Sequence, residues 1–339
     1  MSSEILRLKP TSSEARERWF AVQQQYPNSN FLQSPAWGEM NQLIGHKVII
    51  IALQDAWCQM IVKNAKRGRY LEIPGGPLID WEDNAKVATM FEQIRSIGRV
   101  EGCVFVRLRI QEHQNPTRIE QLHSLGLRLA PMHLHAEHTV MIDLTETEDT
   151  LLAKMRRQTR YEIRRADRVG LKVDFSRTEA AFREFHAVQV QTAERQHFVP
   201  PDLDTLLAER QAFGDNARLY CARDAEGVAL AYGLILIDGV EAEYFEAAST
   251  EGNSKLPGSY ALLWRAMRDL KALGVKRFNL WGIAPPGAKH HRYSGVTTFK
   301  TGFGGKNLEF VPAMDLVLKP GRYLINLIIE KIRKKMRNL

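Results

Sequence analysis

Three groups of residues in this sequence have types and spacings that can do chemistry. The first is the basic run RQTRYEIRRADR over 157–168. At helical spacing, Arg157 and Tyr161 lie one turn apart on one face, with Arg160 beside them. Arginine forks suit a diphosphate, and Arg164, Arg165 and Arg168 extend the run toward what a nucleic-acid backbone would meet; the bland alternative is a solvated charged face. The second is Tyr244 with Glu246, where a carboxylate can accept the proton of an incoming amine or simply pair with a nearby arginine. The third is Gly302, Gly304 and Gly305, which permit close approach of backbone to a ligand or merely form a turn. Covalent catalysis finds no support, because there is no G-x-S-x-G elbow and no Cys/His motif. His133, His135 and His138 alternate along a strand and share a face, yet no fourth ligand accompanies them, so no metal is expected. His290 and His291 read as part of a solvated loop.

The elements that must hold these residues repeat. FLQSPAWGEM (31–40) reads as a short helix, with a strand to residue 53 after Gly45. A strand over 58–63, an irregular Ile73-Pro-Gly-Gly-Pro77 loop and a helix over 85–98 follow. In 103–110, Val104, Val106, Leu108 and Ile110 alternate with Cys103, Phe105, Arg107 and Arg109, the pattern of a half-buried strand. After the strand at 138–144 the order starts again: one basic helix over 150–169, a strand, helices through the 180s and 200s, and three strands to 247. An amphipathic helix over 260–273, a strand to Trp281 and a Gly/Pro-rich loop come last. This order predicts two related α/β units, 1–148 and 149–317. The segment 323–339, YLINLIIEKIRKKMRNL, either packs back on the first unit or lies on a membrane surface as a basic amphipathic helix.

The chain has 339 residues, enough for two cores. Its 3 cysteines fall in no metal or redox spacing, and no signal peptide or membrane-spanning run is evident; a cytoplasmic protein is expected. A net charge of +8 biases the surface toward nucleic acid, nucleotide diphosphates or anionic lipid, or is only a solvated surface.

Four segments together resemble the Fem family of peptidoglycan aminoacyltransferases: FLQSPAWGEM (31–40), RRQTRYEIRRADRVGLKV (156–173), the block ASTEGNSKLPGSYALLWRAMRDLKALGVKRFNLWGI (248–283) and TTFKTGFGGKNLEFVPAMDLV (297–317). The resemblance implies two tandem domains of the acetyltransferase (GNAT-like, acyl-CoA N-acyltransferase-like) fold, with 318–339 returning to the first. It implies an aminoacyl-tRNA donor and a muramyl-pentapeptide acceptor, either UDP-MurNAc-pentapeptide or a lipid-linked muropeptide, and no cofactor. No heptad-patterned insertion is visible, so the coiled-coil arm of some members is not expected. The tail leaves room for peripheral contact at the inner face of the membrane.

An aminoacyl ester arrives activated, so such an enzyme needs positioning groups and a stabilised oxyanion rather than a nucleophile. The resemblance places Lys300 and Phe299 at the family's Phe-Lys pair, with the cation facing the oxyanion; the alternative is a surface lysine at a strand end. It assigns Gln33, Trp37, Arg157, Arg160, Tyr161, Tyr244 and Gly302 to substrate binding. Departures from the family pattern are Pro35 for a basic residue, Gln111 for an acidic one, Glu246 for a second tyrosine and Asn279 for an aspartate. Two rivals share the composition. An ordinary acyl-CoA N-acyltransferase would need a Q/R-x-x-G-x-G/A loop, which is not found. A non-catalytic basic protein that binds tRNA or anionic lipid would form no product.

Overall fold

The computed structural model describes residues 6–336 apart from 54, 67, 133–134, 197, 252–254, 289–290 and 292. It divides into two compact units, Met1–His138 with Pro285–Arg292 and Glu309–Leu339, and Thr139–Ala284 with Tyr293–Leu308. In the first, β1 (Leu6–Leu8) and α1 (Ser13–Gln25) precede a 3-10 turn at Phe31–Gln33, α2 (Pro35–Leu43), β2 (Lys47–Leu53), β3 (Ala56–Ala65), β4 (Gly68–Gly75), α3 (Asn84–Val100), β5 (Phe105–Ile110), α4 (Pro116–Ser124) and β6 (Leu127–Leu129). The second holds β7 (His138–Asp143), α5 (Glu148–Lys154), α6 (Arg157–Arg168), β8 (Lys172–Ser176), α7 (Glu179–Gln196), α8 (Leu203–Phe213), β9 (Ala217–Arg223), β10 (Ala229–Asp238), β11 (Glu241–Ser249), α9 (Gly258–Ala272), β12 (Arg277–Gly282), α10 (Ser294–Thr301) and β13 (Lys306–Glu309). The chain then returns to the first unit as β14 (Met314–Val317) and α11 (Pro320–Met336). The sequence reading sets the boundary at 148/149 and the return at 318. In the structure β7 already belongs to the second sheet, and β14 lies in the first.

The first sheet runs β1-β2-β3-β4-β5-β14-β6 and the second β13-β7-β12-β11-β10-β9-β8. Each contains a parallel pair, β4 with β5 and β11 with β12, joined through a crossover helix, α3 or α9. The helical period explains how α3 docks: Val87, Met90, Phe91, Ile94 and Ile97 share its buried face against Met60, Leu71, Val106 and Leu108.

Four sequence expectations are corrected here. The Ile73–Pro77 segment is not wholly irregular, because β4 continues through Pro74 and Gly75, paired with Arg109 and Ile110 of β5. The last β3 partner of β4 is Glu72, so the missing N–H of Pro74 costs no ladder bond on that side. Strand β5 is buried on both faces rather than one. Its Arg107 is neutralised by Asp315 through two 2.8 Å hydrogen bonds and by Glu330 through a third of 2.8 Å. The basic helix is two helices, broken where Met155 and Arg156 turn extended. The break follows from the segment after α10: Gly302 O accepts from Arg156 N at 2.8 Å, and a Cβ on Gly304 would meet Lys154 O at 3.0 Å. Finally, residues 294–301 form helix α10, so Lys300 lies on a helix and not at a strand end.

Candidate active site

In the second unit, β11 and β12 pair only over Glu241–Glu243 with Arg277–Asn279. Beyond that point the two strands part, while each stays paired to its other neighbour through an irregular register. β11 bulges against β10, where Tyr244 faces Ile235 and Glu246 faces Leu234, leaving Phe245 as the extra residue. On β12 the register with β7 shifts between Asn279 and Gly282. Between them Trp281 holds φ 62, a left-handed conformation that costs a non-glycine residue about 1–3 kcal/mol. Its ring packs edge-on to Phe245 at 5.8 Å. Asn279 keeps the strained turn in place: its Oδ1 accepts from Trp281 N at 3.0 Å and from Thr139 Oγ1, while its Nδ2 donates to Glu241 Oε1 at 3.3 Å.

Lys300 enters this gap from α10. Its side chain is buried, Nζ donates to Gly282 O at 2.9 Å, and the ammonium lies 5.9 Å from the centre of the Tyr244 ring. Among the described residues no carboxylate compensates it, and burial alone pulls its pKa from 10.5 to about 7. An amine so tuned both presents a cation and exchanges a proton at neutral pH. Phe299 does not face this gap as a reactive group. It packs edge-on to Tyr260 at 5.0 Å and to Phe303 at 5.2 Å, which fixes the rotation of α10 and hence of Lys300. Tyr244 is buried, and its phenol is pushed well above the ordinary value by burial.

Glu246 is not brought together with Lys300. The bulge moves one residue on β10 but two on β11, so Tyr244 and Glu246 point to opposite faces of the sheet. Glu246 instead accepts from Gln189 Nε2 of α7 at 2.7 Å and lies beside Glu209 of α8. Burial raises its pKa to about 7, and burial together with the Glu246 charge raises Glu209 as well. Glu246→Gln is therefore expected to leave transfer unchanged and to stabilise the fold at pH 8 by about 1 kcal/mol, read by denaturant titration. A loss of transfer would restore the carboxylate as base.

Gly302 packs closely on α6, where a Cβ would meet Thr159 Oγ1 at 2.5 Å. On α6 itself Arg157, Arg160, Tyr161, Arg164, Asp167 and Arg168 line an open depression of about 700 Å³. Arg160 is partly committed, donating to Met155 O, and the Arg168 guanidinium stacks over Tyr161 at 5.7 Å. Arg157 and Arg164 remain exposed.

In the first unit, Gln33 and Trp37 follow from local rules. Ser34 caps α2 by accepting from Trp37 N at 3.2 Å, and Pro35 occupies the first turn, where its missing N–H is harmless. That role accounts for a proline where the family pattern has a basic residue. Gln33 is buried with Nε2 donating to Gln59 O (3.1 Å) and Pro74 O (2.7 Å) and Oε1 accepting from Gln59 N (2.8 Å). It stitches the turn to β3 and β4, and both its amide hydrogens are used. Trp37 lies edge-on to Phe31 at 5.3 Å and 6.4 Å from the His135 ring. His135 meets a carboxylate: its Nε2 is 2.8 Å from Glu72 Oε1, with Lys63 Nζ 3.9 Å from the other oxygen. Burial pushes the Glu72 carboxyl up, but His135, Lys63 and Arg107 outweigh it and hold it below the ordinary range. Gln111, where an acid was expected, accepts from Arg109 at 2.8 Å. Among the described residues no group of three or more His, Cys, Asp or Glu could hold a metal. His133 and His290 lie outside the described residues.

The sequence reading missed Trp281, Gln189, Glu209 and the Lys63–Glu72–His135 cluster. A tryptophan before a glycine at a strand end gives no signal of positive φ, and the last cluster joins residues from three separate segments. Asn279 is explained once its neighbours are seen. Glu241 and Glu243 are already buried beside it, with Glu243 raised far above the ordinary carboxylate range by burial and by Glu241. Asn279→Asp would add a third carboxyl and delete a donor. We expect a loss of about 1–3 kcal/mol, measurable by thermal unfolding.

The FemAB family model matches residues 16–223 and 203–331. The chain belongs to the FemAB family. Among its FemAB relatives, "Aminoacyltransferase FemA" of Staphylococcus aureus is 17% identical over 420 residues, covering 97% of this chain and 100% of that protein. The FemA of Staphylococcus epidermidis is 24% identical over 102 residues, a match spanning 30% of this chain and 24% of that protein's length. A crystal structure of FemX superposes with TM-score 0.82 at 16% identity, covering 95% of this chain and 99% of that one. A tandem GNAT protein from the clavulanic acid biosynthesis pathway superposes with TM-score 0.58 at 11% identity, covering 93% and 98%. This FemAB chain is thus an α/β protein of two tandem GNAT-like domains, with no coiled-coil arm among its described residues.

Proposed function

We propose that this protein transfers an aminoacyl group from a charged tRNA to the stem peptide of a peptidoglycan precursor. The acceptor is UDP-MurNAc-pentapeptide or its lipid-linked form. One observation carries the reading: a buried lysine, with no carboxylate partner among the described residues, placed where β11 and β12 part, in a chain of the FemAB family. The acceptor's neutral amine attacks the ester carbonyl of the aminoacyl-tRNA, forming the C–N bond and placing negative charge on the carbonyl oxygen. The Lys300 ammonium donates to that oxygen. Collapse re-forms the carbonyl and expels the ribose oxygen, which takes up a proton while the amine loses one, leaving an amide and a free tRNA 3′ end. A group with pKa near 7 suits this exchange. The α6 arginines supply a sequence-independent hold on phosphates, from the acceptor's diphosphate or the tRNA backbone.

The test is to incubate the protein with mixed charged tRNAs and muramyl-pentapeptide precursors and weigh the products. A stem peptide heavier by one aminoacyl residue is expected, and Lys300→Ala should slow its formation about 10²–10³-fold. Transfer from an acyl-CoA instead, or binding without any product, would overturn the reading. Arg157→Glu with Arg164→Glu is expected to weaken tRNA binding about 10-fold or more at low salt and to flatten its salt dependence, as followed by filter binding.

A further inference from the structure

The C-terminal helix α11 has two different sides. One side is internal to the first unit: Tyr323 is buried, its hydroxyl donates to Asp315 Oδ2 at 2.9 Å, and Glu330 accepts from Arg107 at 2.8 Å. The other side is bare. Leu324, Ile325, Ile328 and Ile332 are 55%, 58%, 51% and 54% exposed. At 100° per residue these four fall within an arc of about 100°, a continuous apolar stripe rather than scattered surface residues. Exposed basic residues border it, Arg322 toward the start and Lys331 and Lys334 toward the end. The run KIRKKMR over 331–337 carries five basic residues and no acidic one, and Glu330 is turned inward on Arg107.

We propose that this face of α11 docks the protein on an anionic lipid surface, lying in the plane of the headgroups. The charge pattern selects this occupant. A second copy of the chain, laid on the stripe in either direction, would set basic ends against basic ends. A tRNA backbone would satisfy the lysines and leave four aliphatic side chains in water. An anionic membrane takes both, with the aliphatic chains in the acyl boundary and the ammonium groups among the headgroups. The inference is independent of the transfer chemistry, since it concerns a surface of the first unit that needs no substrate.

The full-length protein is sedimented with phosphatidylcholine vesicles with or without about 30% phosphatidylglycerol, a composition at which polybasic helices respond. Wild type is expected to partition onto the anionic vesicles and not the neutral ones, more weakly as salt rises. Ile325→Glu with Ile328→Glu should cut that partition about 10-fold or more while the melting temperature stays put, because both side chains are exposed. Lys331→Glu with Lys334→Glu should weaken binding and blunt its salt dependence. Equal partition of the Ile325→Glu/Ile328→Glu variant and wild type would overturn the proposal, as would no binding to anionic vesicles. Wild type that is dimeric in solution, with the same variant monomeric, would overturn it in favour of self-association. Transfer to the soluble UDP-linked acceptor by this variant is read separately, so failure of the one leaves the other standing.

Discussion

Lys300→Met is expected to make this protein more stable at neutral pH and far slower in transfer. In the folded state burial holds the lysine pKa at about 7, against an ordinary 10.5. At pH 7 the unfolded chain binds a proton that the folded chain only half retains. Between about pH 7 and 10.5 the unfolded state therefore binds more protons, and wild-type stability gains with rising pH; below 7 both states are protonated and this gain is absent. Converting the shift gives an upper bound of about 5 kcal/mol. Relaxation and water penetration, together with the loss of the hydrogen bond to Gly282 O, bring the expected gain of the methionine variant at pH 7 to about 2–4 kcal/mol, since the side chains are near in volume and the buried charge is removed. The signature is a wild-type-minus-variant difference that shrinks as pH climbs toward 10, followed by urea titration at several pH values. Transfer should fall about 10²–10³-fold, the usual cost of removing one oxyanion donor. A variant that lost activity but gained no stability would show that Lys300 is not held at the expense of the fold.

The second large effect belongs to the first unit. Asp315 is fully buried, accepts two hydrogen bonds from Arg107 and one from Tyr323, and sits on β14 between β5 and β6. Removing it by Asp315→Ala leaves the buried Arg107 guanidinium with Glu330 as its remaining carboxylate partner among the described residues and strands the Tyr323 hydroxyl. Breaking a buried pair from one side costs about 3–5 kcal/mol, far more than the pair contributes over an apolar replacement. A drop of that size in the unfolding free energy is expected. Arg107→Leu with Asp315→Leu should recover part of it. A loss under 1 kcal/mol for the single change would mean that the site is wetter than its burial indicates.

Comparing these sites with their sequence shows what local pattern can carry. The capped, proline-led α2 is readable because Ser34, Pro35 and Trp37 interact within four residues. The amphipathic α9 and the alternating β5 are likewise readable in type. The first failures come from partners distant in sequence. Arg107 looks like the polar side of a half-exposed strand until Asp315 and Glu330 arrive from more than 200 residues away. The break at Met155–Arg156 is imposed by Gly302 and Gly304, and no residue between 150 and 169 announces it. Glu246 reads as a neighbour of Tyr244 because a strand alternates by two, and a bulge of one residue reverses that parity. Lys300 was legible as a reactive residue only through the family motif around it. Its burial on a helix could not be read from TTFKTGFGG, whose threonines and glycines argue against helix.

The placement of β14 also has a meaning for synthesis. Because chains emerge from the amino end, the first sheet must wait, with β5 and β6 lacking the strand that separates them, while the whole of the second unit is translated. The second unit has every strand it needs by Glu309 and is free to fold first. During that interval Val106 and Leu108 lie on an unpaired edge, which makes nascent chains that stall before residue 314 the species most exposed to aggregation and to chaperone capture.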